Sequence, residues 1–145
     1  MDDELVLDDR QDVVDAVLRL GRWLDGHGGD PAEIYDADVV VRSPRGEVRG
    51  LDGVLAAVSP SEDSGERTQH RLTDLLVDVA GDRATVQANQ LVHFFQAGSA
   101  PFRTAGLRVE YGLVRRPAGW RLSEADMHLE WIDGAPVPAP YELVD

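Results

Sequence analysis

The chain has 145 residues and a net charge of −13, from 27 acidic residues against 14 basic ones, all of them arginine. Without cysteine there is no disulfide, thiolate nucleophile or cysteine-ligated metal site; without lysine there is no Schiff base, pyridoxal phosphate anchor or P-loop. So negative a surface, with no basic stripe, also argues against nucleic acid as a partner. One domain of this length buries roughly 68–70% of its unfolded surface, enough for a core with a pocket in it. No run approaches the ~20 apolar residues of a membrane span. The opening MDDELVLDD lacks the basic-then-apolar layout of a secretory signal, so a cytoplasmic protein is expected.

Residues 1–7 are expected to be a flexible N-terminus. Asp8 or Asp9 can then cap a helix beginning near Arg10, in which Val13, Val14, Val17, Leu18, Leu20 and Leu24 follow helical spacing. Gly26-His27-Gly28-Gly29 ends it. A short second helix, Pro31 to Tyr35, has Asp30 as its cap. Val39-Val40-Val41 predicts a strand, Pro44-Arg45-Gly46 a turn and Glu47-Val48-Arg49 a short return strand. Leu51 to Val58 predicts a third helix, and residues 59–65 a polar loop.

Four long β-rich runs follow: Thr68 to Val79, Arg83 to Phe95, Phe102 to Arg116 and Trp120 to Trp131. Ala80-Gly81-Asp82 and Pro117-Ala118-Gly119 are turn signals between them. Residues 134–145 form a proline-rich tail. Helices first and an antiparallel meander after them define an α+β domain. On the second long strand one face carries Asn89, Leu91, His93 and Phe95, and the other Ala88, Gln90, Val92 and Phe94. Both are partly apolar, so both need covering, one by the helices and one by a second subunit. A homodimer through the outer face is expected, with Gln90, Val92, Phe94 and His128 near it. The charge is uneven: residues 1–66 hold 6 Arg against 17 acids, and residues 67–145 hold 8 Arg against 10.

Four pieces stand in order: Trp23-Leu24-Asp25-Gly26 at the end of the first helix; Ala37-Asp38-Val39-Val40-Val41 with Gly50-Leu51-Asp52-Gly53; Arg67-Thr68-Gln69-His70 opening a long strand; and Gly119-Trp120-Arg121-Leu122 opening the last. Over residues 8–133 this order resembles the SnoaL-like, polyketide-cyclase-like group of the nuclear transport factor 2 superfamily. The resemblance implies a cone, a curved sheet wrapped round N-terminal helices with an apolar cavity inside. Its members include dehydratases, isomerases, dehydrochlorinases, cyclases and non-catalytic proteins, so fold alone leaves function open.

In the scytalone dehydratase and dehydrochlorinase branch, an Asp ending the first helix orients a His opening the long strand. Asp25 and His70 occupy those positions. A carboxylate bonded to one imidazole nitrogen fixes the tautomer and leaves the other nitrogen to move a proton. Taken alone, Asp25 would be a helix-end acid and His70 a strand histidine with a backbone partner. This sequence departs from the branch elsewhere. The dehydratase's carbonyl-activating tyrosines match Leu24 and Val41, its second histidine falls near Phe95, and the dehydrochlorinase's lysine has no counterpart. A ketosteroid isomerase base would fall near Ser43, so that mechanism is not supported.

The candidate substrate contacts are therefore His93 and Asn89 on one strand face, Tyr111 as a phenol donor, Tyr35 over the mouth, and Met127, Leu129 and Trp131 as cavity wall. The pair His128 and Glu130 lacks a third ligand, so no metal or other cofactor is expected. Ser59 and Ser99 are loop serines without a nucleophile's setting. The implied function is a small-molecule lyase or isomerase, dehydratase- or cyclase-like, acting on an apolar, cyclic or polyketide-like molecule. The alternative is a ligand-binding or dimeric assembly module of the same fold.

Overall fold

The computed structural model describes residues 2–58 and 65–134, with the side chains of residues 2–7 outside the description. The elements run α1 (Asp2–Leu24), α2 (Pro31–Ile34), β1 (Tyr35–Ser43), β2 (Gly46–Arg49), α3 (Gly50–Ala57), β3 (Glu66–Ala80), β4 (Arg83–Gln96), β5 (Arg103–Arg116) and β6 (Gly119–Gly134). Helix α1 starts at Asp2, so neither Asp8 nor Asp9 caps it and residues 2–7 are helical. Acidic residues crowd its first turns, where the helix dipole favours them. Asp9 instead takes both terminal nitrogens of Arg115 at 2.9 and 2.7 Å, which ties the helix to β5. Asp30 does cap α2, accepting from the Ala32 N–H at 2.9 Å. The polar loop over residues 59–64 and the tail beyond Gly134 lie outside the described residues.

All six strands form one sheet in the order β2-β1-β6-β5-β4-β3. The expected four-strand meander is there, extended by β1, which pairs parallel to β6, and by β2, which pairs antiparallel to β1. Sequence alternation predicts strands but not so distant a pairing, which depends on how the whole sheet curves. Register shifts punctuate the long ladders, between Thr73 and Leu76 and between Gly106 and Leu107, and each bends its strand. At the first of these Asp74 adopts φ 58°, in the left-handed region. The Asn89 amide and the Thr73 hydroxyl donate to its carboxylate at 2.9 and 3.1 Å.

The sheet's concave face closes over α1. Val13, Val17, Leu20 and Trp23 form the buried stripe of the helix, and Val86, Val109 and Leu113 receive it from the sheet. Burying one such side chain contributes about 1.5–3 kcal/mol. Along β4 the buried phase is Ala84, Val86, Ala88, Gln90 and Val92. The face expected at a dimer interface is thus the inner one. Gln90, Val92 and Phe94 point into the cone, and Asn89, Leu91, His93 and Phe95 lie outside.

Candidate functional site

The site begins where α1 stops. The Gly26 N–H donates to the Trp23 carbonyl at 3.0 Å and the His27 N–H to the Arg22 carbonyl at 2.9 Å, with Gly26 at φ 83°. This paired closure needs a residue without Cβ at Gly26, and it fixes the backbone of Asp25 just before it. Across from it, β3 turns Thr68 and His70 inward by strand alternation.

Asp25 and His70 meet there. His70 Nδ1 lies 2.6 Å from Asp25 Oδ1, the His70 backbone N–H donates to Asp25 Oδ2 at 2.9 Å, and the Thr68 hydroxyl donates to Oδ1 at 3.0 Å. The two side chains are 7% and 13% exposed. Burial alone would raise the Asp25 carboxyl, but the bonds from the His70 ring and backbone, the His70 charge and the Thr68 hydroxyl together hold it below its ordinary value. An ionised carboxylate only accepts, so Nδ1 carries a proton and Nε2 is the nitrogen left for chemistry. Gly21 allows this approach: a Cβ there would sit 3.6 Å from the Cβ of His70.

Two cavities meet at His70. The larger, about 540 Å³, is mostly apolar and falls within the range of small-molecule sites. The smaller, about 250 Å³, lies between α1 and β3 and is lined by Asp25, His27 and Gln69 among others. Leu20, Leu24, His70, Gln90 and Tyr111 border both. Inside, the Tyr111 hydroxyl donates to Gln90 Oε1 at 3.0 Å, so the Gln90 amide keeps its own two donors for other partners. Burial pushes the Tyr111 hydroxyl well above its ordinary value, so it stays a neutral donor.

Several expected contacts sit elsewhere. Asn89 and His93 occupy the outer face, Asn89 bonded to Asp74 and His93 Nδ1 lying 2.9 Å from the Thr104 hydroxyl. The signal lay further back along β4. Ala84, Val86 and Ala88 extend the Gln90 phase without a break, whereas Thr85 and Gln87 extend the Asn89 phase. Met127 and Leu129 do line the large cavity, but Trp131 does not. Leu107 pairs with Leu129 while Gly106 pairs with Trp131, so one extra residue, Glu130, reverses the alternation. Trp131 therefore lies outside over Gly106, 49% exposed. Tyr35 lines the cavity from a buried position, edge-on to Trp23 with ring centres 5.6 Å apart, rather than hanging over a mouth. Leu24, Val41 and Ser43 also line it, as their matched positions imply. Sequence reasoning missed Gln90, Thr68, Arg45 and Arg103 as site residues.

Among the described residues no three His, Asp or Glu side chains could hold a metal together, and Glu130 bonds to Arg108 at 3.2 Å. Among them also, no helix is long and apolar enough to cross a membrane.

The model of the SnoaL-like domain matches residues 6–126 of the chain. Among solved structures, LinA is similar with a TM-score of 0.77 at 16% identity, covering 96% of this chain and 97% of its own. The hexachlorocyclohexane dehydrochlorinase LinA-type3 from Novosphingobium barchaimii has a TM-score of 0.69 at 15% identity, covering 94% and 97%. A candidate scytalone dehydratase from Novosphingobium aromaticivorans has a TM-score of 0.67 at 16% identity, covering 100% and 99%. Other solved neighbours carry the same nuclear transport factor 2-like, cystatin-like fold. No curated protein matches the chain in sequence.

Proposed function

The chain belongs to the SnoaL-like domain family, and we propose that it is a cytoplasmic, cofactor-independent lyase or isomerase of the dehydratase or cyclase kind. The observation that carries this reading is the buried 2.6 Å contact between Asp25 and His70 at the border of an apolar cavity. Asp25 orients His70 and stabilises the imidazolium that forms. In an isomerisation His70 takes a proton beside a carbonyl and returns it to another carbon. In an elimination it takes a proton from carbon, the C–H electron pair becomes the double bond as the neighbouring leaving group departs, and His70 passes the proton to that group. Oxyanion charge is met by the Gln90 amide, whose Oε1 the Tyr111 hydroxyl holds, in place of the outward-facing Asn89 and His93. Tyr35, Met127 and Leu129 shape the space for an apolar, cyclic or polyketide-like molecule of secondary metabolism.

The second reading, a binding or assembly module without turnover, draws on Leu24 and Val41, which line the cavity where the dehydratase branch has tyrosines. In either reading a second copy of the chain covers the outer sheet face, where Leu91, Phe95 and Trp131 form the apolar part.

A stability screen against cyclic ketones and alcohols, followed by turnover assays on the compounds that raise the melting temperature, separates the two readings. Loss of about 10²–10⁴ in rate in His70→Ala, with binding kept, is the expected result. Binding without turnover in the native protein sinks the catalytic reading.

A further inference from the structure

Arg103 heads an inward alternation that is otherwise apolar: Ala105, Leu107, Val109, Tyr111 and Leu113 follow it on the same face of β5. The residue is 7% exposed. Its guanidinium carbon lies 4.0 Å from the centre of the Phe94 ring and 5.5 Å from that of Phe102. Arg103 lines the large cavity, and Arg45, from the β1–β2 turn, lines it too. Among the described residues the one acidic side chain on that lining is Glu66. Among the described residues of a chain with 27 acids and 14 arginines, two cations and one carboxylate thus face this apolar space. Taking a guanidinium out of water is costly, and stacking on Phe94 offsets only part of that. Both arginines have partners within the protein. A guanidinium nevertheless has five N–H donors in a planar fork, which serve several acceptors at once and suit a carboxylate held by two parallel bonds.

Strand register sets the distance from His70. His70 pairs with Val92 and Val92 with Ala105, so these three lie in one row. Arg103 pairs with Phe94, one inward step further along β4. Two strand spacings of ~4.8 Å and one step of ~7 Å put the two backbones roughly 12 Å apart. With both side chains reaching inward, the gap suits a fused two- or three-ring molecule.

We propose that the cavity binds organic carboxylates, the carboxylate on Arg103 with Arg45 in support, and the apolar body extending toward His70. The position of the reacting carbon rests on His70 as the acid/base, but the anion preference does not.

The test compares equilibrium binding of two fluorescent probes of one shape, anthracene-2-carboxylate and the neutral anthracene-2-carboxamide, at neutral pH. The acid binds at least roughly tenfold more tightly to the native protein. Arg103→Met, which keeps an apolar stem beside Phe94, brings the acid down to the affinity of the amide and leaves the amide unchanged. Arg45→Met produces a smaller loss of the same kind. Equal affinities in the native protein overturn the proposal, whether or not Arg103→Met folds. So does a preference that survives in the double variant. His70→Ala keeps the acid preference, so failure of the catalytic reading and failure of the anion site give different results.

Discussion

Asp25 accepts three hydrogen bonds from two residues of β3, which makes it a joint between helix and sheet as well as a partner for His70. Asparagine at this position would turn a donor toward either the His70 backbone N–H or the Thr68 hydroxyl. Asp25→Asn is expected to destabilise the fold by about 1–3 kcal/mol at neutral pH. The sign of the pH dependence follows from the lowered carboxyl. Its stabilisation is complete above the ordinary value of 3.8 and is lost as pH falls through the lower folded value. Urea unfolding at several pH values should therefore show the gap between Asp25→Asn and the native protein closing below about pH 3.8. A gap that stays constant there would mean that the carboxylate charge contributes nothing to the joint.

At the scale of elements, α1 and β3 approach closely because Gly21 faces the Cβ of His70. A methyl group at 3.6 Å is ordinary contact, and alanine is the better helix former, so Gly21→Ala is expected to stabilise by about 0.5–1 kcal/mol with activity kept. Gly21→Leu instead sets a branched side chain against the Cβ of His70. It should push the His70 ring from Asp25 and lose both activity and about 1–3 kcal/mol. Melting curves and turnover of the two variants check this; a destabilised Gly21→Ala would mean that the gap is tighter than its geometry. The helix and strand positions were legible in the sequence because alternation and the Gly and Pro turns are local signals. The pairing of Asp25 with His70 was legible only through the ordered motifs around them. The faces of β4 were legible only from its first half, Ala84, Val86 and Ala88 against Thr85 and Gln87, since Leu91 and Phe95 balance Val92 and Phe94 near the strand's end. The displacement of Trp131 was hidden too, because an extra residue such as Glu130 leaves no mark on a run that otherwise alternates.

For the whole molecule, charge is unevenly divided between the halves of the chain. Arginines of the long strands nonetheless find acids on other elements, Arg108 pairing with Glu130, and Arg115 with Asp9 of the first helix and Asp82 of the β3–β4 turn. The apolar part of the outer sheet face, around Trp131, is where a second copy would pack. Sedimentation equilibrium at micromolar concentration should give twice the 15.9 kDa chain mass, and Trp131→Glu should return it to one. A native monomer at that concentration removes the dimer.

The parallel seam between β1 and β6 bears on how the molecule comes to exist. Arg42 donates to Asp126, 84 positions away in sequence, at 3.2 Å, and Val41, Leu122, Ala125 and Met127 along this seam are cavity wall. Closing so long a loop costs entropy before any contact returns it, which places this pairing among the slow events of folding. Until the final strand docks, the apolar stripe of α1 faces an unfinished wall and there is no enclosed space to occupy. A ligand that spans the seam recognises only the completed chain, so it would hold shut the last joint to form.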